Sequence, residues 1–320
     1  MNCDVLKSTV TMAAGNVGAP LSVRNGIAPS RVYMPPGCWP SLLDFLLARF
    51  QYMPPGVLRH RLEQGDIVDE AGAPQTPGSP YRPGHWLWYY REVPDETPVP
   101  FELPVLFRDD RLVVVDKPHF LASIPAGRHL AETALTRLRA SLGLPELCPI
   151  HRLDRDTAGV MLFCIDRDSR AAYQTLFQTR QVIKEYEAVA PFRPNLPLPV
   201  VYRSRLVENE LPFTMREIAG EPNSETRIEL IEQQGAVAHY RLWPSTGRKH
   251  QLRMHMSALG IPICNDRFYP RMLARQAADD FNRPLQLLAR AIEFTDPFDG
   301  ASRRFESRRR LLGLVIGYNT

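Results

Sequence analysis

Five apolar residues in an unbroken run, Val160-Met161-Leu162-Phe163-Cys164, follow directly on nine residues that carry a histidine, two arginines and two aspartates. Those nine are His151-Arg152-Leu153-Asp154-Arg155-Asp156-Thr157-Ala158-Gly159. A short continuous apolar run bounded by turn residues reads as a buried strand. Charge concentrated at the mouth of such a strand marks a catalytic loop, because the chemistry needs ionised groups and the strand holds them still.

The surrounding pattern supplies a sheet for that strand. Leu112-Val113-Val114-Val115 is a second buried strand, ending at Asp116-Lys117-Pro118. Alternation predicts strands over 182–190, 226–232, 237–243 and 285–294. Helices are expected over 132–142, stopped by Gly143, and over 169–180, 249–259 and 304–313. Many strands without regular strand–helix alternation define an α+β fold on a mixed or largely antiparallel sheet. Residues 1–37, rich in Gly, Ala, Ser and Pro, are expected to be a disordered extension. Residues 38–96 form a smaller unit of two short helices, small strands and the aromatic strand Trp86-Leu87-Trp88-Tyr89-Tyr90. Pro94 to Pro104 reads as a linker, and residues 97–320 as the main domain.

Charge narrows the partners. The net charge is +4, and lysine stands at only four positions, so 35 of the 39 basic residues are arginine. Arginine's planar fork suits phosphates and base edges, and Arg303-Arg304 with Arg308-Arg309-Arg310 suggests a phosphate-facing surface. No stretch reaches the roughly 18–20 apolar residues of a membrane span, and no secretion signal is read at the N-terminus. Five irregularly spaced cysteines, none in a C-x-x-C pair, fit a reduced, cytoplasmic compartment, and no ligand spacing matches a zinc pattern.

Within the charged loop, Asp154 is the candidate for chemistry. A catalytic carboxylate should be partly buried yet ionised, and burial alone opposes ionisation, so a cation must face it. The segment Gly247-Arg248-Lys249-His250-Gln251-Leu252-Arg253-Met254-His255 is a dense source of cations, with Arg253 a candidate partner. Asp156-Thr157-Ala158-Gly159 is superficially like the aspartic-protease D-T-G, but that chemistry needs a second such loop, and the sequence holds no second copy.

Four blocks in order resemble the RluA-type pseudouridine synthases. The 151–159 loop resembles H-R-L-D-x-x-T-S-G, Asp116-Lys117-Pro118 the upstream D-K-P, and Lys184-Glu185-Tyr186 the K-x-Y block. Thr246 to His255 resembles T-G-R-x-H-Q-[IL]-R-x-H, continued by Leu259-Gly260-Ile261-Pro262-Ile263. Together they span residues 101–311. The 38–96 unit resembles the alpha-L RNA-binding module of the ribosomal protein S-four type.

The resemblance implies an isomerase that turns uridine into pseudouridine in structured RNA, with ribosomal RNA favoured over transfer RNA, without metal or cofactor, as a monomer. It makes Asp154, Tyr186 and Arg253 the catalytic residues: Asp154 acts at the ribose, Tyr186 stacks on the uracil, and Arg253 pairs with Asp154. Arg152 fills the gap left by the flipped nucleotide, and Arg248, His250 and Gln251 contact RNA. A non-catalytic RNA-binding or ribosome-assembly protein on the same fold is the alternative. Ala158, where the motif has serine, is the one departure. Trp86, Trp88, Tyr89 and Tyr90 are available either to stack on bases or to serve as core, core being the commoner role.

Overall fold

A computed structural model describes residues 18–93, 95–274 and 278–312. The chain divides into two compact units, residues 1–93 and 94–320.

In the first unit, strand β1 (Ser30–Tyr33) precedes helices α1 (Leu42–Arg49) and α2 (Pro55–Glu63), then β2 (Ile67–Val68) and β3 (Trp86–Tyr89). Ser41 caps α1 by accepting the Asp44 N–H at 3.2 Å, and α2 begins on a proline whose missing N–H costs nothing there. Leu42, Phe45, Leu46, Leu58 and Leu62 bury one face of each helix against an antiparallel sheet ordered β1-β3-β2. Strand β1 corrects the expected disordered extension over 18–37; residues 1–17 lie outside the described residues. Four residues alternate too briefly to stand out in sequence, and β1 owes its order to pairing with β3 and to burial of Val32 and Met34.

The second unit holds β4 (Val105–Arg108), β5 (Leu112–Lys117), α3 (Ala134–Leu142), β6 (Cys148–Pro149), β7 (Ala158–Cys164) and α4 (Arg170–Gln178). It continues with β8 (Ile183–Pro191), β9 (Val200–Glu208), β10 (Met215–Ile218), β11 (Ser224–Gln234), β12 (Val237–Pro244), α5 (Gln251–Ala258), β13 (Leu287–Thr295) and β14 (Ser302–Glu306). The strands form one sheet ordered β10-β9-β11-β12-β8-β13-β7-β5-β4, with β14 on β13 and β6 on β7. Among the described strands only β13 and β7 pair in parallel.

Every residue of β5 and β7 is buried, because both faces are covered. Val113, Val115, Met161 and Phe163 pack with α3 residues Leu135 and Leu138, whereas Val114, Leu162 and Cys164 pack with Tyr173 and Leu176 of α4. Gly159 is obligatory where β7 meets β13: its φ is 116°, and a Cβ would lie 2.1 Å from the Ala289 carbonyl oxygen.

Two expectations fail in this unit. The segment expected as a last helix over 304–313 is β14 up to Glu306, with residue 313 outside the described residues. Phe305 turns inward onto Phe107 and Phe294 while Arg304 and Glu306 stay exposed, an alternation hidden by the run of arginines. Three arginines of that run are spent on ion pairs, while Arg308 and Arg310 stay exposed. Arg303 pairs with Asp299, Arg304 with Glu185, Glu293 and Glu306, and Arg309 with Asp116. The expected linker is fastened as well. Glu96 accepts the backbone N–H groups of Leu130, Ala131 and Glu132, and Arg137 donates to the Val99 and Phe101 carbonyls.

Candidate active site

The 151–157 loop is clamped from several sides. Ser123 donates its hydroxyl to the Leu153 carbonyl at 2.6 Å and accepts the Leu153 N–H at 3.1 Å. Below the loop, the fully buried Lys117 Nζ donates to carbonyls among Pro118, Leu121 and Arg155. Burial pushes this lysine down to about 7, against weaker opposition from Asp156 and Asp154. His119 donates Nδ1–H to the Asp156 carbonyl, and burial lowers it to about 4. His151 accepts the Leu162 N–H on Nε2 and stacks on Phe177 at 4.8 Å. Arg155 pairs with Asp279 and Asp156. These anchors leave Arg152 exposed, without a side-chain partner among the described residues, and Asp154 half-buried.

Asp154 opens into a cleft of about 720 Å³ between the loop, the start of β8, the end of α4 and the turn before α5. Among the described residues lining the cleft it is the single carboxylate, facing seven basic side chains: Arg152, Arg155, Arg180, Lys184, Arg248, Lys249 and Arg253. Leu153, Phe177, Leu252 and Leu287 give it an apolar floor.

Arg253, on α5, is almost wholly buried. Its Nε and Nη2 donate to Asp266 at 2.8 and 2.7 Å, and its remaining Nη1 lies 3.6 Å from Asp154 Oδ2. Burial alone would lower this guanidinium, but the Asp266 bonds outweigh it and hold the charge. The expected Arg253–Asp154 pair is present and forms part of a triad. Asp266 is the tight partner and Asp154 the longer, more exposed one. Sequence reading missed Asp266, although its signal is visible: a carboxylate at the end of Ile261-Pro262-Ile263-Cys264-Asn265 needs a buried counter-charge.

Tyr186, on β8, is half-buried and packs with both main core clusters. Burial, then the neighbouring Asp154, raises its phenol well above the usual tyrosine range, so it stays protonated. Lys184, two residues earlier, donates to the Thr246 carbonyl at 2.9 Å and is pushed down to about 8 by burial and by Arg180.

The residues expected to contact RNA from the second block divide. Arg248 is exposed on the rim, with Nε on the Asn223 carbonyl. His250 is recessed, in the left-handed region at φ 53°, with Nδ1 3.0 Å from the Tyr269 hydroxyl and Nε2 3.9 Å from Asp154 Oδ2. Gln251 is corrected to a structural part. Its amide donates to the Glu225 carbonyl and Thr226, and its oxygen accepts from Thr246 and from the Arg248 N–H. All its polar atoms are engaged internally, so it shapes the turn that presents Arg248. Among the described residues no cluster of three or more His, Cys, Asp or Glu is spaced to hold a metal ion, and no helix is long and apolar enough to cross a membrane.

A carboxylate beside a buried arginine in a cation-lined cleft, with a protonated tyrosine close by, suits a polyanionic substrate. Known proteins agree. Residues 111–258 match the RNA pseudouridylate synthase family. The dual-specificity RNA pseudouridine synthase RluA of Escherichia coli is 34% identical over 215 residues, covering 64% of this chain and 92% of that protein. The mitochondrial tRNA pseudouridine(32) synthase of Saccharomyces cerevisiae is 30% identical over 71% of this chain and 50% of its own length. The solved structure of human RNA pseudouridylate synthase domain containing 4 superposes with a TM-score of 0.52 at 27% identity, covering 66% of this chain and 90% of that one. The chain belongs to the RluA-type RNA pseudouridine synthase family. It is an isomerase acting on RNA, so the binding-only alternative is not favoured.

Proposed function

We propose that Asp154 performs the ribose chemistry, with Tyr186 holding the base and Arg253 holding Asp154. The observation that carries this reading is the solitary carboxylate among seven cations. A polyanion is drawn to such a cleft, and pure binding gives no reason to set a carboxylate at its floor. The reaction breaks the ribose C1′–N1 bond, turns the uracil and joins C1′ to C5, and the proton lost from C5 is balanced by one gained at N1. One carboxylate beside the sugar serves either attack on C1′ or removal of a ribose proton. The target must leave its stack to reach the cleft, and an aromatic face steadies the freed base. Arg152, exposed beside Asp154, is suited to fill the vacated space.

The first unit is read as an RNA-binding module of alpha-L type. It supports this with a cleft of about 570 Å³ in which Arg24, His60, Arg61 and Arg91 stand with the carboxylates Asp66 and Glu92. On that module rests the preference for ribosomal over transfer RNA, with the protein acting as a cytoplasmic monomer. The test is a pseudouridine map of ribosomal and transfer RNA with and without the gene. Loss of a site in ribosomal RNA is expected, and loss confined to transfer RNA overturns the preference.

A further inference from the structure

Two nitrogens approach Asp154. Arg253 Nη1 lies 3.6 Å and His250 Nε2 3.9 Å from Oδ2. On its other side the imidazole meets the Tyr269 hydroxyl, which accepts the Met215 N–H at 2.8 Å and lies 3.0 Å from His250 Nδ1. A hydroxyl that donates to Nδ1 leaves the hydrogen of the neutral imidazole on Nε2, the nitrogen that faces Asp154. Burial favours this neutral form, with Asp154 opposing.

The ring is also held by its backbone and neighbours. His250 adopts a left-handed conformation that favours glycine, and Phe268 and Tyr269 pack on the imidazole at 5.4 and 5.7 Å. Asp266 Oδ1 accepts the N–H groups of Phe268 and Tyr269 as well as binding Arg253. One buried carboxylate thus anchors both arms that reach Asp154, through Arg253 and through Tyr269 and His250.

We infer that His250 and Tyr269 are a positioning pair for Asp154, in which the Tyr269 hydroxyl fixes the imidazole with Nε2–H toward Asp154. The inference rests on the proposed role of Asp154. It moves His250 from RNA contact to orientation of the reacting carboxylate.

The test measures single-turnover pseudouridine formation and RNA dissociation constants on an RNA that the wild-type protein modifies. The variants are Asp154→Asn, His250→Ala, His250→Gln, Tyr269→Phe and the Tyr269→Phe, His250→Gln double variant, with thermal melts alongside. His250→Ala should lower the rate at saturating RNA by roughly 10- to 100-fold, the usual scale for an orienting partner, with the dissociation constant within about twofold. His250→Gln, whose amide replaces the Nε2 donor, should recover most of the rate. Tyr269→Phe should slow the wild-type background and leave the His250→Gln background nearly unchanged, since no imidazole tautomer remains to be set. Weaker RNA binding with an unchanged saturated rate in His250→Ala would overturn the pair in favour of an RNA contact. Equal slowing by Tyr269→Phe in both backgrounds would overturn it in favour of a structural role. An active Asp154→Asn variant would instead remove the role of Asp154 on which the pair depends.

Discussion

The 151–157 loop and strand β3 are equally rich in side chains that suit RNA, yet the structure uses them differently. In the loop, His151, Arg155 and Asp156 are tied down, which leaves Arg152 and Asp154 presented to the cleft. In β3 and the residue after it the aromatic faces are occupied. Arg31 lies 4.2 Å over Trp86, Arg24 lies 4.1 Å over Tyr90, Trp88 is buried, and Tyr89 packs edge-on with Phe50. Composition therefore does not separate a working group from a structural one. What separates them is whether the protein has already satisfied the group.

That contrast sets the scale of the expected effects. Asp154→Asn should lower pseudouridine formation by about 10⁴-fold or more, as loss of a reacting group does, with RNA affinity near normal. Asp266→Asn leaves the buried Arg253 without its counter-charge. It should cost about 3–5 kcal/mol of stability as well as rate, read from denaturant melts and single-turnover kinetics. Arg152→Ala and Arg248→Ala should weaken RNA binding. Each should also reduce the slope of log affinity against log salt by about 0.7–0.9 for every phosphate its side chain neutralises. Equal slopes would place both side chains off the RNA. Among the variants aimed at RNA contacts, the smallest effect is expected from Trp86→Ala. Removing a base stack would cost roughly 1–3 kcal/mol, or about 5- to 150-fold in affinity. A change below about threefold is expected, because Arg31 already covers that ring.

Lys117 gives a pH-dependent counterpart. Its folded value near 7 lies below the ordinary 10.5, so between those limits the unfolded chain binds more protons than the folded one. Its contribution to stability therefore rises as pH climbs from about 7 to 10.5. In Lys117→Met the melting temperature should rise less over that range, and identical slopes in the two proteins would count against a buried, neutral lysine.

Much of this was legible in the sequence. The buried strands β5 and β7 declare themselves by unbroken apolar runs, and the four ordered blocks bring Asp154, Tyr186, Arg248 and Arg253 to one cleft. What stayed hidden depends on contacts remote along the chain. Asp266 matters only because folding sets it against Arg253. Gln251 looks available until the Thr246 turn closes on it, and β1 is too short to announce itself without β3. The arginines of β14 read as a basic surface until Glu185 and Glu293 arrive from neighbouring strands.

The most direct measurement is a pseudouridine map of total RNA from cells lacking the gene, complemented with wild-type protein or with Asp154→Asn at equal abundance. The wild type should restore at least one pseudouridine that Asp154→Asn leaves as uridine, although both proteins bind that RNA alike. Restoration by both would contradict the assignment of Asp154 as the reacting carboxylate.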